Sequence, residues 1–266
     1  MEKCGIKLHQ QTYSEKLLQK FNMNNVRDCS YPSILVEQHP SIKVDKKIHE
    51  DYREMVGSLL YLSNKTRPDI SFHVGYCSRH QNSPNLNDLN NVKNILRFIK
   101  GSKQKGIHYS KGDNILRGFC DSDFAGDPDT RRSTSGFVIW MNGEPIAWSS
   151  RKQSVVALSS TEAEYIAAAE CCKELLYIRD LVKEITNQNL EIEMRVDNQS
   201  AIWLMKKGIM NKRSKHIDVK YYYLKEKIDE NQIKVNYCPT GSQIADILTK
   251  SLPRIKFETC QKKLVS

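Results

Sequence analysis

The chain has 266 residues and a mean hydropathy of −0.58, and 39% of its residues are hydrophobic. These values argue against disorder, and no run approaches the roughly 18 apolar residues of a membrane span. The N-terminus lacks the apolar core of a signal peptide, so an intracellular protein is expected. The formal net charge of +10 favours a polyanionic partner such as nucleic acid.

The eight cysteines include no Cys-x-x-Cys pair, which predicts reduced thiols rather than a disulfide framework or a zinc site. His73, Cys77 and His80 have helical spacing, but no fourth ligand is nearby in the sequence. Ordinary packing is therefore the favoured interpretation of these three residues.

Residues 1–112 are predicted to form a mostly helical first domain. Apolar positions recur at helical spacing in QQTYSEKLLQKFNM, in the stretch from Glu50 to Gln81 and in LNDLNNVKNILRFIKGS. Pro68 cannot lie inside a helix, so the middle stretch is predicted to break into two helices there. Gly101 is the predicted end of the last helix.

Residues 113–266 are predicted to form a second domain that begins with strands. Apolar or alternating segments predict strands in NILRGFC, in NLEIEMRV, in NQIKVNYC and, as a hairpin turning at Asn142–Gly143, in SGFVIWMNGEPIAWSS. Helices are predicted at about residues 159–186, 199–208, 216–229 and 242–251. This order indicates a mixed α/β layer architecture in which an antiparallel hairpin is followed by crossovers.

Three aspartates are associated with the predicted strands. Asp121 ends the first strand, Asp197 follows LEIEMRV, and Asp246 lies in the last predicted helix, SQIADILTK. Groups at the carboxyl ends of strands and at adjoining helix starts meet at one edge of such a sheet. Because clustered buried carboxylates repel one another, this set is predicted to bind a hard cation such as Mg²⁺ or Mn²⁺.

The fourth acid is Glu162 or Glu164, in SSTEAEYIAAAE. Positions i and i+2 of a helix lie roughly 200° apart, so both side chains cannot face one site. The row of residues that begins at Glu164 is apolar as far as Ile185, whereas the row that begins at Glu162 becomes polar. Glu164 is therefore favoured for the site, and Glu162 is predicted to point outward near the helix N-terminus.

The second half of the chain resembles the ribonuclease H domain of a copia-type LTR-retrotransposon Pol polyprotein. The blocks that carry the resemblance occur in order: FCDSDFAGDPDTRRSTSGFVIWMNGEPIAWSSRKQSVVALSSTEAEYIAAAE, VDNQSAIWL, RSKHIDVKYYYLKEKI and IADILTKSLP. The first half, with IKLHQQTYSEKLLQKFNM, YREMVGSLLYLSNKTRPDI and NILRFIK, is similar to the C-terminal part of the reverse transcriptase just upstream.

The resemblance implies an α/β, ribonuclease-H-like fold with a mixed five-stranded sheet flanked by helices. A mostly helical thumb- or connection-like remnant of reverse transcriptase would precede it. The implied activity is endonucleolytic cleavage of the RNA strand of RNA·DNA hybrids during retrotransposon reverse transcription. Product ends would be a 5′-phosphate and a 3′-hydroxyl. No Asp-Asp pair of a polymerase site occurs in the sequence, so the chain is not expected to synthesise DNA.

The family's acidic tetrad falls on Asp121, Glu164, Asp197 and Asp246 of this sequence. The implied mechanism uses two Mg²⁺ ions at the scissile phosphate, which Mn²⁺ could replace. Asp123 is a second candidate near the first metal. Cellular members of the superfamily carry a loop histidine shortly before the last acid, and PTGSQIAD has none. Another group would then assist product release, or turnover would be slower.

Two basic segments are predicted to contact the phosphates and 2′-hydroxyls of a hybrid. A solvated charged face is the alternative interpretation of both. His216 is assigned packing or phosphate contact rather than proton transfer, and the three tryptophans are assigned to the core. The predicted contact residues are Arg131, Arg132 and Ser133 in the first segment, and Lys206, Lys207, Lys212, Arg213, Lys215 and His216 in the second.

Two alternative functions remain at this stage. One is a catalytically inactive nucleic-acid-binding remnant of a decayed element, and the other is an integrase-like or transposase-like nuclease on the same fold. The expected partners are an RNA·DNA hybrid and the polymerase domains that this sequence lacks. The resemblance implies action in cytoplasmic particles, and a nuclear location is equally compatible with the sequence.

Overall fold

A computed structural model describes residues 5–34, 44–208 and 215–266, with the side chains of residues 215–221 outside the description. The described chain divides into two compact units. One contains residues 110–250, and the other contains residues 5–109 together with residues 251–266.

The unit that begins the described chain is mostly helical, as predicted. Asp45 caps the second helix by accepting a hydrogen bond from the Ile48 backbone N–H, and Asn85 and Asp88 form a capping box on the fourth. A 3₁₀ turn at Pro68–Ile70 separates the two middle helices, where proline was predicted to break them. The elements are β1 (Gly5–His9), α1 (Gln11–Lys20), α2 (Lys46–Lys65), α3 (Ser71–Ser78), α4 (Leu86–Gly101) and β2 (Gly106–Ser110).

The small sheet formed by β1 and β2 was not predicted. Ile6 and Leu8 of β1 are 74% and 47% exposed. Because neither face of this strand is buried, packing against the core imposes no pattern on its sequence. Gly106 of β2 exchanges backbone hydrogen bonds with Ser266 at the end of the chain, at 3.1 and 2.9 Å.

The other unit is built on a five-stranded mixed sheet of strand order β5-β4-β3-β6-β7. β3 pairs antiparallel with β4 and parallel with β6; β4–β5 is antiparallel and β6–β7 is parallel. This arrangement confirms the predicted fold class, a mixed five-stranded sheet flanked by helices. Its elements are β3 (Ile115–Ser122), β4 (Thr134–Met141), β5 (Glu144–Lys152), α5 (Ser160–Thr186), β6 (Glu191–Val196), α6 (Gln199–Lys207), α7 (Lys215–Asp229) and β7 (Lys234–Tyr237).

Helix α5 packs its apolar row on the sheet for only part of its length. Ala168, Cys171 and Leu175 are fully buried and Ile178 is 8% exposed, but Ile185 is 73% exposed. The sequence predicted that this row would stay on the sheet as far as Ile185. A helix of 27 residues is about 40 Å long, whereas a strand of eight residues spans about 27 Å, so the helix extends past the sheet.

The close approach of α5 to β3 depends on Gly118. A Cβ atom at this position would lie 2.7 Å from Cys171 Sγ and 2.7 Å from Leu175 Cδ1, well inside van der Waals distance. We expect Gly118→Ala to lower the free energy of unfolding by about 1–3 kcal/mol, because the helix or the strand must shift. Urea denaturation of the two proteins measures the difference.

Gly57 in α2 is the matched control, because nothing lies within 4 Å of a Cβ built there. At this exposed helical position, Gly57→Ala is expected to stabilise the protein by about 0.5–1 kcal/mol. A Gly118→Ala protein that is as stable as Gly57→Ala would contradict the packing described here.

The segment predicted as the last helix, residues 242–251, does not form an α-helix. Two 3₁₀ helices, Thr240–Ser242 and Ile244–Leu248, take its place. Gln243 lies between them, and its side chain accepts from the Ala245 N–H and donates to the Cys120 carbonyl at 2.9 Å. These bonds hold the second 3₁₀ helix against β3, because a buried side-chain amide must satisfy its polar atoms.

The last helix of the chain is α8 (Arg254–Leu264), which the sequence placed in the second domain. In the structure it packs with the helical unit, where Phe257 and Leu264 are each 1% exposed. Gln261 on α8 also donates a 2.8 Å hydrogen bond to Asp69. Buried apolar side chains and this bond, rather than position along the chain, determine the unit to which α8 belongs.

Among the helices that the structure describes, none is long and apolar enough to cross a membrane.

Candidate active site

Asp121 lies near the C-terminal end of β3 and is 2% exposed. The facing residue on β4 is Gly136, where a Cβ would lie 2.7 Å from both Leu248 and Thr249 side-chain atoms. The missing side chain lets the second 3₁₀ helix approach the sheet closely enough for Thr249 Oγ1 to donate to Asp121 Oδ2 at 2.5 Å. Asp121 is thus held in one orientation by the segment that carries Asp246.

Asp197 reaches the same edge because β3 and β6 run parallel. Phe119 pairs with Arg195, and each aspartate lies two residues beyond its member of that pair. After Asp197 the chain turns into α6, whose N-terminus is capped by Asn198 accepting from the Ala201 N–H at 2.9 Å. The cap directs the chain away from the sheet and leaves the half-buried Asp197 at its edge.

Glu164 completes a cluster with Asp121 and Asp197. One carboxylate oxygen of each residue lies within 4.8 Å of the other two. Glu164 is 6% exposed, and its Oε1 accepts from the Ser122 backbone N–H at 3.4 Å. Glu164 Oε2 and the Ser122 hydroxyl are buried and have no hydrogen-bond partner among the described residues.

The electrostatics of the cluster disfavour three separate negative charges. Burial, followed by the charges of Asp121 and Asp197, raises the pKa of Glu164 to about 10. Burial also raises the pKa of Asp121; Asp246 and Asp197 add to this effect, and Lys250 and Thr249 oppose it. A divalent cation at the three oxygens would favour the ionised forms and would give Glu164 Oε2 a partner, so the residues present fit a metal ion.

Glu162 is not part of this cluster, and the prediction that it points outward is wrong. Its side chain is only 9% exposed, and its Oε2 accepts from the Leu158 backbone N–H at 2.9 Å. The Ser159 hydroxyl in turn accepts from the Glu162 N–H at 3.1 Å. The carboxylate therefore folds back over the start of α5, where it satisfies a free backbone donor and interacts favourably with the helix dipole.

Asp246, the fourth predicted acid, is fully buried in the second 3₁₀ helix but lies outside the three-carboxylate group. Lys250 connects it to that group. The ammonium lies 2.5 Å from Asp246 Oδ1 and 3.3 Å from Asp121 Oδ2. Sequence reasoning missed both Lys250 and Thr249, although the i, i+4 spacing of Asp246 and Lys250 in ADILTK was a usable signal.

Asp123, the second candidate for the first metal, is used within the β3–β4 loop. Its carboxylate accepts from the Thr134 backbone N–H, and its own N–H donates to the Thr134 carbonyl at 3.1 Å. Asp127 closes the same loop by accepting from Thr130 and Lys152. The loop is therefore a compact, internally bonded element next to Asp121.

The predicted nucleic-acid contacts in this loop differ in their accessibility. Arg131 is exposed and Arg132 is half-buried. Ser133, in contrast, is fully buried, and its hydroxyl accepts from the Ala125 backbone N–H at 3.1 Å. The prediction that Ser133 contacts nucleic acid is wrong for this structure, because its hydroxyl supports the loop from inside.

The second basic segment is only partly within the description. Lys206 and Lys207 are exposed in the last turn of α6, which ends at Gly208 with φ +65°. Trp203 on the same helix is 53% exposed, so its assignment to the core is wrong. Lys212 and Arg213 lie outside the described residues, as do the side chains of Lys215 and His216 at the start of α7.

Comparison with known proteins identifies relatives over nearly the whole chain. The Pol polyprotein of transposon TNT 1-94 from Nicotiana tabacum is 38% identical over 267 aligned residues, which are 96% of this chain and 20% of the relative. The Pol polyprotein of transposon RE2 from Arabidopsis thaliana is 34% identical over 98% of this chain and 18% of its own length. The chain thus spans about a fifth of the length of these relatives.

Among solved structures, LC11-RNase H1, isolated from compost, is similar over 52% of this chain and 94% of its own chain, with 20% identity and a TM-score of 0.41. No protein-family model matches the chain. The two Pol alignments include both units of the structure. Over nearly its whole length, the chain is homologous to a segment of the retrovirus-related Pol polyproteins of copia-type LTR retrotransposons.

Proposed function

We propose that this chain is a ribonuclease H that cleaves the RNA strand of RNA·DNA hybrids by hydrolysis of phosphodiester bonds. The observation that carries the proposal is the cluster of Asp121, Glu164 and Asp197, whose oxygens lie within 4.8 Å of one another at the end of parallel strands. A buried carboxylate group of this kind is costly unless a cation neutralises it. Homology to a segment of Pol polyproteins supports the same function.

The proposed cofactor is Mg²⁺, with two ions bound and Mn²⁺ as a substitute. When bound, divalent metal supplies a water of lowered pKa and neutralises charge that develops on the scissile phosphate. Asp121, Glu164 and Asp197 would hold the first ion, and Asp121 with Asp246 the second. Ser122 and Thr249 keep Glu164 and Asp121 in position through the bonds described above.

Substrate binding is proposed at four exposed or half-buried basic side chains on the same unit. Arg131 and Arg132 lie in the loop that follows Asp121 on β3, and Lys206 and Lys207 end the helix that follows Asp197. Such side chains contact phosphates without reading sequence, and 2′-hydroxyl contacts are what distinguish RNA from DNA. The remaining polymerase domains of a Pol polyprotein are the proposed protein partner.

The decisive test is incubation of the purified chain with an RNA·DNA hybrid labelled on the RNA strand. We expect Mg²⁺-dependent cleavage that leaves 5′-phosphate and 3′-hydroxyl ends and that stops on addition of a chelator. Duplex DNA of the same sequence is the matched control and is expected to remain intact, because it lacks 2′-hydroxyls.

Two results would contradict the proposal. A chain that binds the hybrid but does not cut it with Mg²⁺ or Mn²⁺ would be an inactive nucleic-acid-binding remnant. Cleavage of duplex DNA in preference to the hybrid would instead indicate an integrase-like nuclease.

A further inference from the structure

Lys250 occupies a specific place beside the acidic cluster. It follows the second 3₁₀ helix, four residues after Asp246, and its ammonium contacts one oxygen of Asp246 and one of Asp121. The same Asp121 oxygen accepts the Thr249 hydroxyl hydrogen bond. The ammonium therefore contacts both Asp121 and Asp246, the two residues proposed above to hold the second ion.

Both carboxylates need a positive neighbour. Asp246 is fully buried and Asp121 is 2% exposed, so water does not solvate either carboxylate. Leaving buried charges without a counter-charge is strongly destabilising. In the metal-free protein, the tethered ammonium of Lys250 supplies that charge.

The ion pairs of Lys250 with Asp121 and Asp246 can also break without unfolding of the site. The side chain of Lys250 is 41% exposed, in contrast to the two carboxylates, so its ammonium can reach solvent without unfolding the site. A lysine head group is a compact charge on a flexible four-carbon stem, which makes such a movement inexpensive. A divalent ion bound between Asp121 and Asp246 would be repelled by the ammonium of Lys250 at this short distance.

We infer that Lys250 is a positioning residue that substitutes for the second metal ion between Asp121 and Asp246, and that it must be displaced before that ion binds. The site would then fill in order. The first ion binds at Asp121, Glu164 and Asp197, and the second binds only as Lys250 moves away from Asp246. This inference rests on the proposed two-metal nuclease, and it concerns metal uptake rather than cleavage.

Metal binding without nucleic acid tests the inference directly. Mn²⁺ is titrated into the full chain, and free Mn²⁺ is measured by electron paramagnetic resonance for the wild type, Lys250→Met and Lys250→Arg. We expect Lys250→Met to bind the second ion about tenfold more tightly than the wild type, because the competing charge is gone. Lys250→Arg is expected to bind it more weakly, because a guanidinium can hold a carboxylate through two hydrogen bonds.

Lys152→Met is the matched control. Lys152 also pairs with a buried aspartate of the same unit, Asp127, at 3.1 Å, but neither residue belongs to the acidic cluster. Its Mn²⁺ isotherm is expected to match that of the wild type. If Lys250→Met does not fold, the opposite shift expected for Lys250→Arg still tests the inference.

Each remaining outcome has one meaning. Superimposable isotherms for the wild type and both Lys250 variants would overturn the inference and leave the nuclease proposal intact. The expected shifts in a chain that does not cut the hybrid would overturn the nuclease proposal and support the inference. Absence of Mn²⁺ binding in every variant would overturn both.

Discussion

Glu164→Gln is expected to reduce cleavage of an RNA·DNA hybrid by about a thousandfold, which corresponds to about 4 kcal/mol of lost transition-state stabilisation. Glu164 shares the three-carboxylate cluster with Asp121 and Asp197, and its Oε2 is buried and unsatisfied among the described residues. A neutral amide at this place is a much weaker ligand for a hard cation than a carboxylate. Single-turnover cleavage with saturating enzyme measures the loss.

Glu162→Gln is the control for this prediction. Its carboxylate caps the start of α5 through the Leu158 N–H, and a glutamine oxygen can accept the same bond. Its loss of charge near the helix N-terminus is expected to cost about 0.3–1 kcal/mol of stability and to change the cleavage rate by no more than severalfold. A larger loss of cleavage in Glu162→Gln than in Glu164→Gln would show that the acidic cluster is wrongly assigned.

Arg67→Met is expected to lower the stability of the helical unit by about 3–5 kcal/mol. Arg67 and Asp69 are 1% and 0% exposed, and the guanidinium donates to both Asp69 oxygens at 2.9 and 2.8 Å. It also donates to the backbone carbonyl and the hydroxyl of Ser102. The substitution leaves the Asp69 charge buried without its counter-charge. Urea denaturation followed by circular dichroism measures the change.

The exposed pair of Lys20 and Glu54 on the same unit is the control. Lys20→Met is expected to cost no more than about 1 kcal/mol, because water already solvates both charges. The double variant Arg67→Met, Asp69→Leu removes the buried charge as well as its partner, and it should recover part of the stability that Arg67→Met loses. Equal losses in Arg67→Met and Lys20→Met would contradict the importance of the buried network.

The same network predicts a dependence of stability on pH. Burial raises the pKa of Asp69. The charge and hydrogen bonds of Arg67 and the bond from Gln261 lower it by more, so the net pKa falls below its ordinary value of 3.8. A lowered pKa of the folded state means that Asp69 contributes stability above about pH 4, and that this contribution disappears as the pH falls. The stability difference between the wild type and Asp69→Asn should therefore stay constant above about pH 5 and shrink as the pH falls below about pH 4.

The sheet and its long helix were predictable because their patterns are local. LEIEMRV alternates, and the structure buries Leu190, Ile192, Met194 and Val196 as expected. The apolar row of α5 likewise favoured Glu164, the glutamate that the structure places beside Asp121. In both cases one face of a regular element is buried, and that burial gives the sequence its period.

The features that the sequence did not predict depend on tertiary contacts. A 3₁₀ helix at Ile244–Leu248 and an α-helix have similar local patterns, and the contacts that hold this segment, such as the bond from Gln243 to the Cys120 carbonyl, are tertiary. Ser133 is as polar as any surface serine, yet a backbone N–H of its own loop binds it from inside. Lys250 lies in IADILTKSLP, but its partner Asp121 is 129 residues away along the chain, so the contact has no local sequence pattern.

The assignment of α8 to the helical unit has a consequence for how the protein is made. That unit is discontinuous, because residues 110–250 are inserted between its two segments. On the ribosome, Arg67 and Asp69 are synthesised before this insert, but Gln261, which completes the hydrogen bonding of Asp69, is synthesised after it. The unit of residues 110–250 can therefore fold during translation, whereas the helical unit reaches its final packing only after residues 251–266 have been synthesised.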